Sequence, residues 1–355
     1  METSELLKDL VEASGPPGRE EAIREMVQTL WRPLADELQV DALGNLIALQ
    51  RGTSSMAEAG RGETVMAAAH MDEIGLIVTG IEDGFLRINS LGGTDRRVLL
   101  GLQVRVHGRR ELPGIIGSRP PHVLPAAERQ TIPPWHALFV DVGLPAGVVK
   151  DSVRVGDHIT VEQPLLTLKN GRAAGKAMDN RASVAALTLA LEYLRHRRHS
   201  WDFCAVATVQ EEVGIKGAIT SAYGVAPDLA IALDVTFAKQ HNDSDPGVFE
   251  LDEGPTIGVG PNFHPEMVAQ LKEAAKAEEI PYVIEPLPGS SGTDAWGIQL
   301  AREGVPAGLI SIPLRYMHQP VETVALRDIE RAGRLLTSFV ARLTSGFLPQ
   351  WEDSL

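Results

Sequence analysis

Hydrophobic and polar residues follow two different spacings along the chain, and these spacings predict its secondary structure. Short apolar runs predict buried strands at 64–69, 202–209, 228–233 and 307–312. Apolar residues that recur every three or four positions predict helices at 19–38, 181–196, 268–279 and 326–343. Strands that alternate with helices are typical of α/β proteins. The pattern therefore predicts a mainly parallel central sheet flanked by helices.

The stretch from residue 73 to residue 163 has a different pattern. Runs rich in β-branched residues at 74–79, 104–107 and 158–161 alternate with Gly and Pro, and no helical spacing persists. This is typical of a small β-barrel or sandwich. We therefore predict one α/β domain formed by residues 1–72 and 164–355, with residues 73–163 inserted into it as a β-rich domain.

The composition narrows the classes of protein to which the chain can belong. Of its 355 residues, 44% are hydrophobic, which is enough for a sizeable core and excludes global disorder. The formal net charge of −14 repels phosphate backbones, so we expect no nucleic-acid partner. The single cysteine, Cys204, excludes an intramolecular disulfide framework and a cysteine-rich zinc site. Without a signal-peptide pattern or a membrane-spanning apolar segment, the sequence predicts a cytoplasmic protein with no membrane contact.

Polar side chains that could bind metal or catalyse a reaction follow the predicted strands. They are His70 and Asp72 after strand 64–69, Glu211 and Glu212 after strand 202–209, Asp234 after strand 228–233, His318 after strand 307–312, and Asp179 at the mouth of helix 181–196. In open α/β sheets, sites form outside the carboxyl ends of the strands. Each residue taken alone is typical of a turn or a cap. Taken together and in this order, they predict one shared site.

The residue types at this predicted site favour a pair of metal ions. Two imidazoles and three carboxylates, without a thiolate, suit Zn²⁺, Co²⁺ or Mn²⁺. Three carboxylates carry more negative charge than one divalent ion needs, so two ions with one bridging carboxylate are expected. Asp72, two residues after His70, is placed to orient that imidazole. A dinuclear site can activate a bridging water and polarise a carbonyl group.

The ordered motifs resemble one family of metal-dependent peptidases. The matching segments are His70-Met71-Asp72, Asp179-Asn180-Arg181, Glu211-Glu212-Val213-Gly214, Asp234 and Tyr316-Met317-His318-Gln319-Pro320-Val321-Glu322, together with residues 14–20, 41–45 and 292–295. They resemble the M42 family of metallo-aminopeptidases, the tetrahedral aminopeptidases of the wider MH clan. The resemblance runs through nearly the whole chain. One departure is Gln319, where the family usually has Ser before the proline.

The resemblance implies roles for these residues and an assembly for the chain. The implied metal ligands are Asp179 as the bridge, His70 and Asp234 on one ion, and Glu212 and His318 on the other. Glu211 would be the general base, and Asp72 would support catalysis. The ions would be zinc or cobalt, and the substrates would be short peptides with a free N-terminus. The resemblance also implies a zinc-peptidase-like fold, a PDZ-like inserted barrel, and a homo-oligomer, a tetrahedral dodecamer whose contacts the barrel helps to form.

Two further residues and several other functions remain open at this point. Arg315 and Asp294 are candidates for substrate binding, and Arg315 could instead form a structural ion pair. A related deacylase or carboxypeptidase could use the same metal ligands, and some relatives are labelled endoglucanases. Outside enzymes, the alternative is a non-catalytic scaffold that binds metal, although the intact Glu211 argues against it.

Overall fold

The computed structural model describes residues 1–53, 62–344 and 347 of the chain. The α-helices in the described residues are α1 (Thr3–Glu12), α2 (Glu21–Trp31), α3 (Ala146–Ser152), α4 (Met178–Leu194), α5 (Lys216–Val225), α6 (Pro265–Ala277), α7 (Asp294–Gln299) and α8 (Leu326–Arg342). The first nine strands are β1 (Glu37–Val40), β2 (Leu46–Gln50), β3 (Thr64–His70), β4 (Gly75–Glu82), β5 (Phe85–Leu91), β6 (Gln103–His107), β7 (Glu111–Gly117), β8 (Phe139–Asp141) and β9 (His158–Val161). The remaining strands are β10 (Leu166–Leu168), β11 (Arg172–Gly175), β12 (Asp202–Thr208), β13 (Leu229–Phe237), β14 (Thr256–Val259), β15 (Val283–Pro286), β16 (Ala307–Arg315) and β17 (Glu322–Ala325).

A large mixed sheet forms the middle of the α/β domain. Its main path runs β1-β2-β12-β3-β13-β16-β17-β11-β10, with β14 and β15 attached beside β16. The four central strands β12, β3, β13 and β16 are parallel to one another, whereas their outer neighbours run antiparallel. The outer pairs β1–β2 and β10–β11 are joined by short turns, and strands connected in this way must run antiparallel. The predicted α/β fold is confirmed, and its parallel part is the centre of the sheet.

Helices cover both faces of this sheet. In β3, Val65, Ala67 and Ala69 face a core that also contains residues of α1, α2, α4, α6 and α8. The alternate residues Met66 and Ala68 face a smaller core with residues of α5 and α7. Because both faces of β3 are buried, its sequence is apolar without alternation until it reaches His70 at its carboxyl end.

The six strands β4 to β9 form a closed barrel in the order β4-β5-β8-β7-β6-β9. The barrel has its own core, which includes Leu76, Ile88, Val106 and Ile159. All six strands lie between Gly75 and Val161, inside the stretch 73–163 that the sequence sets apart. The inserted barrel is therefore one continuous piece of chain that leaves the sheet after β3 and returns before β10.

The helix predicted at 19–38 is wrong in its second half. The helix α2 ends at Trp31, and Glu37–Val40 form the edge strand β1 instead. Pro33 explains the difference, because proline has no backbone N–H to continue the hydrogen bonds of the helix. Among the described residues, no helix combines the length and the apolar character needed to cross a bilayer. The cytoplasmic location stays a prediction.

Candidate active site

The carboxyl edge of the central parallel strands brings the predicted site residues together. His70 is the last residue of β3, and Glu211 and Glu212 follow β12. His318 follows β16, and Asp179 lies at the start of α4. Because β12, β3, β13 and β16 are parallel neighbours, their carboxyl ends meet at this edge.

Asp234 occupies a different position from the one that the sequence predicts. Instead of following a strand that ends at residue 233, it lies inside β13, opposite Ser311 of β16. It is 5% exposed, and its own Oδ1 accepts a hydrogen bond from the amide of Val235 at 2.9 Å. The strand continues past Asp234 because β16 offers a parallel partner as far as Leu314.

The carboxylate of Asp179 lies between two imidazoles. Its Oδ1 is 3.1 Å from Nε2 of His70, and its Oδ2 is 3.4 Å from Nε2 of His318. Asp179 begins α4 with non-helical dihedral angles, and a cis peptide bond joins it to Asn180. One carboxylate thus faces two histidines that come from opposite ends of the chain.

Each imidazole also has acidic neighbours other than Asp179. Nε2 of His70 lies 3.9 Å from Oδ1 of Asp234 and 4.0 Å from Oε2 of Glu211. Nε2 of His318 lies 3.5 Å from Oε2 of Glu212. The site therefore consists of two groups of side chains, one around each histidine, which share the carboxylate of Asp179.

Asp72 supports both groups through the backbone. Its Oδ1 accepts a hydrogen bond from the amide of Glu211, and its Oδ2 accepts one from the amide of Glu212, both at 3.1 Å. Its Oδ1 also lies 3.5 Å from Nδ1 of His70. Asp72 thus lies beside the imidazole as the sequence predicts, and it also holds the two adjacent glutamates, which the sequence did not suggest.

The inserted barrel reaches this site through a turn that follows β5. A Cβ placed on Gly93 would collide with Nδ1 of His318 and lie 2.8 Å from its Cε1. The neighbouring Gly92 has a positive φ of 82°, and its Cβ would lie 3.4 Å from Cβ of Glu212. Only residues without a side chain fit at this approach, so the Gly92-Gly93 turn forms one wall beside His318.

Burial and close charges shift the pKa values of the site. Burial would raise the pKa of Asp179, but hydrogen bonds with His318 and His70 outweigh it and lower that pKa. The same contacts with Asp179, and those with Glu212, raise the pKa of His318 to about 11. Burial raises the pKa of Glu211 to about 9, and it raises the pKa of Asp234 well above its usual range.

These residues fit metal ions in both donor type and charge. His70, Asp179 and Glu212 offer ligand atoms that all lie within 4.8 Å of one another. Positive charge close to Glu211 and Asp234 would offset the burial that raises the pKa values of both carboxyl groups. Divalent ions bound by imidazole and carboxylate ligands would supply that charge.

The two residues predicted to bind substrate are both engaged elsewhere. Arg315 donates from its Nε to the carbonyl oxygen of Lys239 at 2.6 Å, a backbone contact instead of the ion pair considered as the alternative. Asp294 is 1% exposed, and its Oδ2 accepts a hydrogen bond from the hydroxyl of Thr208 at 2.5 Å. Thr208 is the last residue of β12, so this bond connects Asp294 to the strand that precedes Glu211 and Glu212. Contact of either residue with a substrate stays a prediction.

Sequence reasoning missed the role of Glu322, although it quotes this residue within a motif. Glu322 is 2% exposed and accepts hydrogen bonds from the backbone amides of His318 and Asp179. The sequence feature that could have indicated this role is the acidic residue four positions after His318, at the start of a strand. The Gly92-Gly93 turn gave no signal of its function, because paired glycines are common in turns.

Comparison with known proteins relates the whole chain to aminopeptidases. The family model described as M42 glutamyl aminopeptidase matches residues 44–335. The lysyl aminopeptidase of Pyrococcus furiosus is 37% identical over 345 residues, which cover 96% of this chain and 97% of that protein.

Two solved structures extend this similarity to the fold. The TET aminopeptidase of a Thaumarchaeota archaeon from marine sediment has a TM-score of 0.90 at 34% identity, covering 97% of both chains. The TET1 peptidase of Pyrococcus horikoshii has a TM-score of 0.84 at 30% identity, covering 96% of this chain and 100% of that one. The latter peptidase is described as able to assemble into a tetrahedron or a large octahedral shell.

Proposed function

Because this chain belongs to the M42 family of aminopeptidases, we propose that two divalent ions at the site around Asp179 serve its peptidase reaction. Its activity as a metal-dependent aminopeptidase follows from the family. The number of ions is proposed from one observation, the carboxylate of Asp179 between the imidazoles of His70 and His318. A single ion would need only one of these two groups of side chains.

The proposed ligands divide according to the distances between them. Asp179 would be shared by the two ions, His70 and Asp234 would hold one of them, and Glu212 and His318 would hold the other. Zinc or cobalt suits this set of imidazoles and carboxylates, which contains no thiolate.

Glu211 is the proposed general base. When bound, the metal ions supply a Lewis acid for the scissile carbonyl and lower the pKa of the attacking water. The carboxylate of Glu211 takes a proton from that water and returns it to the nitrogen of the leaving amine. Burial raises the pKa of Glu211 to about 9, and divalent cations close to it would lower that pKa and keep the carboxylate form available. Asp72 holds Glu211 in place through its amide.

Metal reconstitution tests this proposal. The protein is stripped with a chelator, reloaded with Zn²⁺, Co²⁺ or Mn²⁺, and assayed with a panel of chromogenic aminoacyl substrates. We expect no turnover without metal and full turnover at about two ions per subunit, as two ligand groups require. Full activity with one ion bound and no second binding event would contradict the dinuclear site.

The same assay separates the alternative functions. A deacylase or carboxypeptidase would cleave substrates with a blocked N-terminus, whereas we expect cleavage only when the amine is free. Glycoside hydrolysis needs two acids and no metal, so the pairing of Asp179 with two imidazoles gives no support to an endoglucanase. A non-catalytic scaffold would bind metal without turnover.

The inserted domain at 73–163 is proposed to serve assembly into a tetrahedral dodecamer. The described ability of the TET1 peptidase to form a tetrahedron supports this, as does the absence of any proposed metal ligand in that stretch. The expected mass by light scattering at micromolar concentration is that of twelve subunits. A monomeric mass would contradict the assembly and leave the proposed chemistry untouched.

A further inference from the structure

The side chain of Glu322 binds the backbones of two proposed metal ligands. Its Oε1 accepts a hydrogen bond from the amide of His318 at 2.7 Å, and its Oε2 accepts one from the amide of Asp179 at 3.1 Å. Glu322 is 2% exposed, so water cannot easily replace either contact. Its two oxygens therefore join two segments that are far apart in the chain, one at Asp179 and one at His318.

Both segments leave regular structure at the point where Glu322 holds them. His318 has a positive φ of 62° in the loop after β16, and Asp179 has non-helical dihedral angles at the start of α4. Neither backbone is placed by a continuous strand or helix there. Glu322 itself is fixed at the start of β17, opposite Gly175 of β11. Because its own backbone belongs to the sheet, its side chain can hold the backbones of both ligands in fixed positions.

The contact requires a carboxylate of this length. An amide such as glutamine has one oxygen to accept and would turn an NH₂ group towards the second backbone N–H. An aspartate is one CH₂ shorter and cannot keep both contacts from the same backbone position. Both oxygens of Glu322 point to amides, so it acts on the site through His318 and Asp179.

Asp72 makes an equivalent pair of hydrogen bonds on the other side of the site. Its two oxygens accept hydrogen bonds from the amides of Glu211 and Glu212. From these contacts we infer that Glu322 is a positioning residue that sets the bridging carboxylate of Asp179 against the imidazole of His318. This inference rests on the proposed metal site.

The test compares E322Q with a matched control in the same domain. Asp328 is also fully buried, and its oxygens accept hydrogen bonds from the amides of Asp252 and Gly254 at 2.7 and 3.0 Å. D328N therefore removes one acceptor from a similar contact away from the site, and it also removes the ion pair of Asp328 with Arg331. Metal affinity is measured by chelator competition, and the Co²⁺-loaded proteins are compared by their visible absorption spectra.

We expect E322Q to bind metal about 10- to 100-fold more weakly and to change the Co²⁺ spectrum, as loss of a partner behind a ligand does. D328N should lower the melting temperature while its metal affinity and spectrum stay those of the wild type. If E322Q does not fold, E322D, which keeps the charge, should show the same loss of affinity. Wild-type affinity and spectrum in a folded Glu322 variant, or equal losses in D328N, would overturn the inference. Failure of the wild type to bind divalent metal would instead refute the proposed site itself.

Discussion

Glu211 and Glu212 are neighbours in the chain, yet the structure places them beside different imidazoles. Oε2 of Glu211 lies 4.0 Å from Nε2 of His70, and Oε2 of Glu212 lies 3.5 Å from Nε2 of His318. Because their carboxylates lie beside different imidazoles, we expect the two glutamates to have different tasks.

This arrangement predicts opposite results for two conservative substitutions. E211Q should keep both metal ions, because no ligand is lost, and its turnover should fall roughly 10²-fold or more without the proton transfer. E212Q should lose affinity for one ion. Metal content by elemental analysis, measured beside kcat, separates the two. Loss of metal in E211Q with full metal in E212Q would mean that the roles are reversed.

The burial of Cys204 predicts that its thiol becomes reactive only when the protein unfolds. It is 3% exposed, and burial raises its pKa to about 12. At pH 8 the folded protein therefore contains almost no thiolate, whereas an unfolded cysteine with a pKa of about 8.5 is substantially ionised. Ellman's reagent should detect no thiol in the native protein and one per chain in guanidinium chloride. Rapid reaction of the native protein would show that the strand β12 opens at this point.

At the level of residues, the sequence predicted the groups with distinctive chemistry. Histidines and acids after apolar strands indicated a metal site, and the structure brings all of them to one edge of the sheet. The sequence did not reveal Glu322 or Gly93, because their functions depend on backbone amides and on available space. Neither the contacts with backbone amides nor the available space can be predicted from the type of residue.

At the level of elements, apolar spacing located most helices and strands. The long helices α4, α6 and α8 lie within a few residues of their predicted positions. The helix α1 was not predicted, although Leu6, Leu7, Leu10 and Val11 have helical spacing and are buried. The helix α2 ends before its amphipathic pattern does, because Pro33 has no backbone N–H to continue the helical hydrogen bonds.

A buried ion pair joins β11 to the chain that leaves β3. Nζ of Lys176 lies 2.7 Å from Oε2 of Glu73, and Oε1 of Glu73 accepts a hydrogen bond from the amide of Gly15 at 3.0 Å. Lys176 and Glu73 are 6% and 2% exposed. The pair therefore fixes the start of the inserted barrel, and the turn before α2, to the end of β11 in the large sheet.

Removing one partner of this pair should destabilise the fold. K176M leaves the charge of Glu73 buried and unpaired, which should lower the free energy of unfolding by about 3–5 kcal/mol. K239M removes an exposed pair with Glu250 and should cost about 1 kcal/mol or less. Urea unfolding measures both changes, and K176M/E73Q should recover part of the loss. Equal effects of K176M and K239M would contradict the importance of the buried pair.

At the level of the whole molecule, the barrel and the α/β domain meet at His318. A methyl group on Gly93 has no room beside the imidazole, so G93A should push His318 away from Asp179 and Glu212. We expect metal affinity to fall about tenfold or more, with little loss of thermal stability. The control is G147A in α3, where an added Cβ meets no atom within 4 Å. Full metal content and activity in G93A would show that the two domains are not coupled through this turn.

The proposed shell makes a prediction about the size of substrates. If the sites face an enclosed chamber, a short peptide should be cleaved, while a folded protein with the same N-terminal sequence should stay intact. The unfolded form of that protein serves as the control for sequence preference. Mass spectrometry of the N-terminus measures both rates. Equal trimming of the folded protein and the peptide would contradict a closed assembly.

The order of the site residues along the chain has a consequence for biosynthesis. His70 precedes the barrel, whereas His318 and Glu322 lie close to the end of the described chain, after β16. The barrel is continuous in sequence and has its own core, so it can fold while later segments are still being made. The site depends on contacts between distant segments, which form last and slowly. We therefore expect a ribosome-bound chain that has not yet exposed β17 to lack the contacts of Glu322 with His318 and Asp179 and to be inactive as a peptidase.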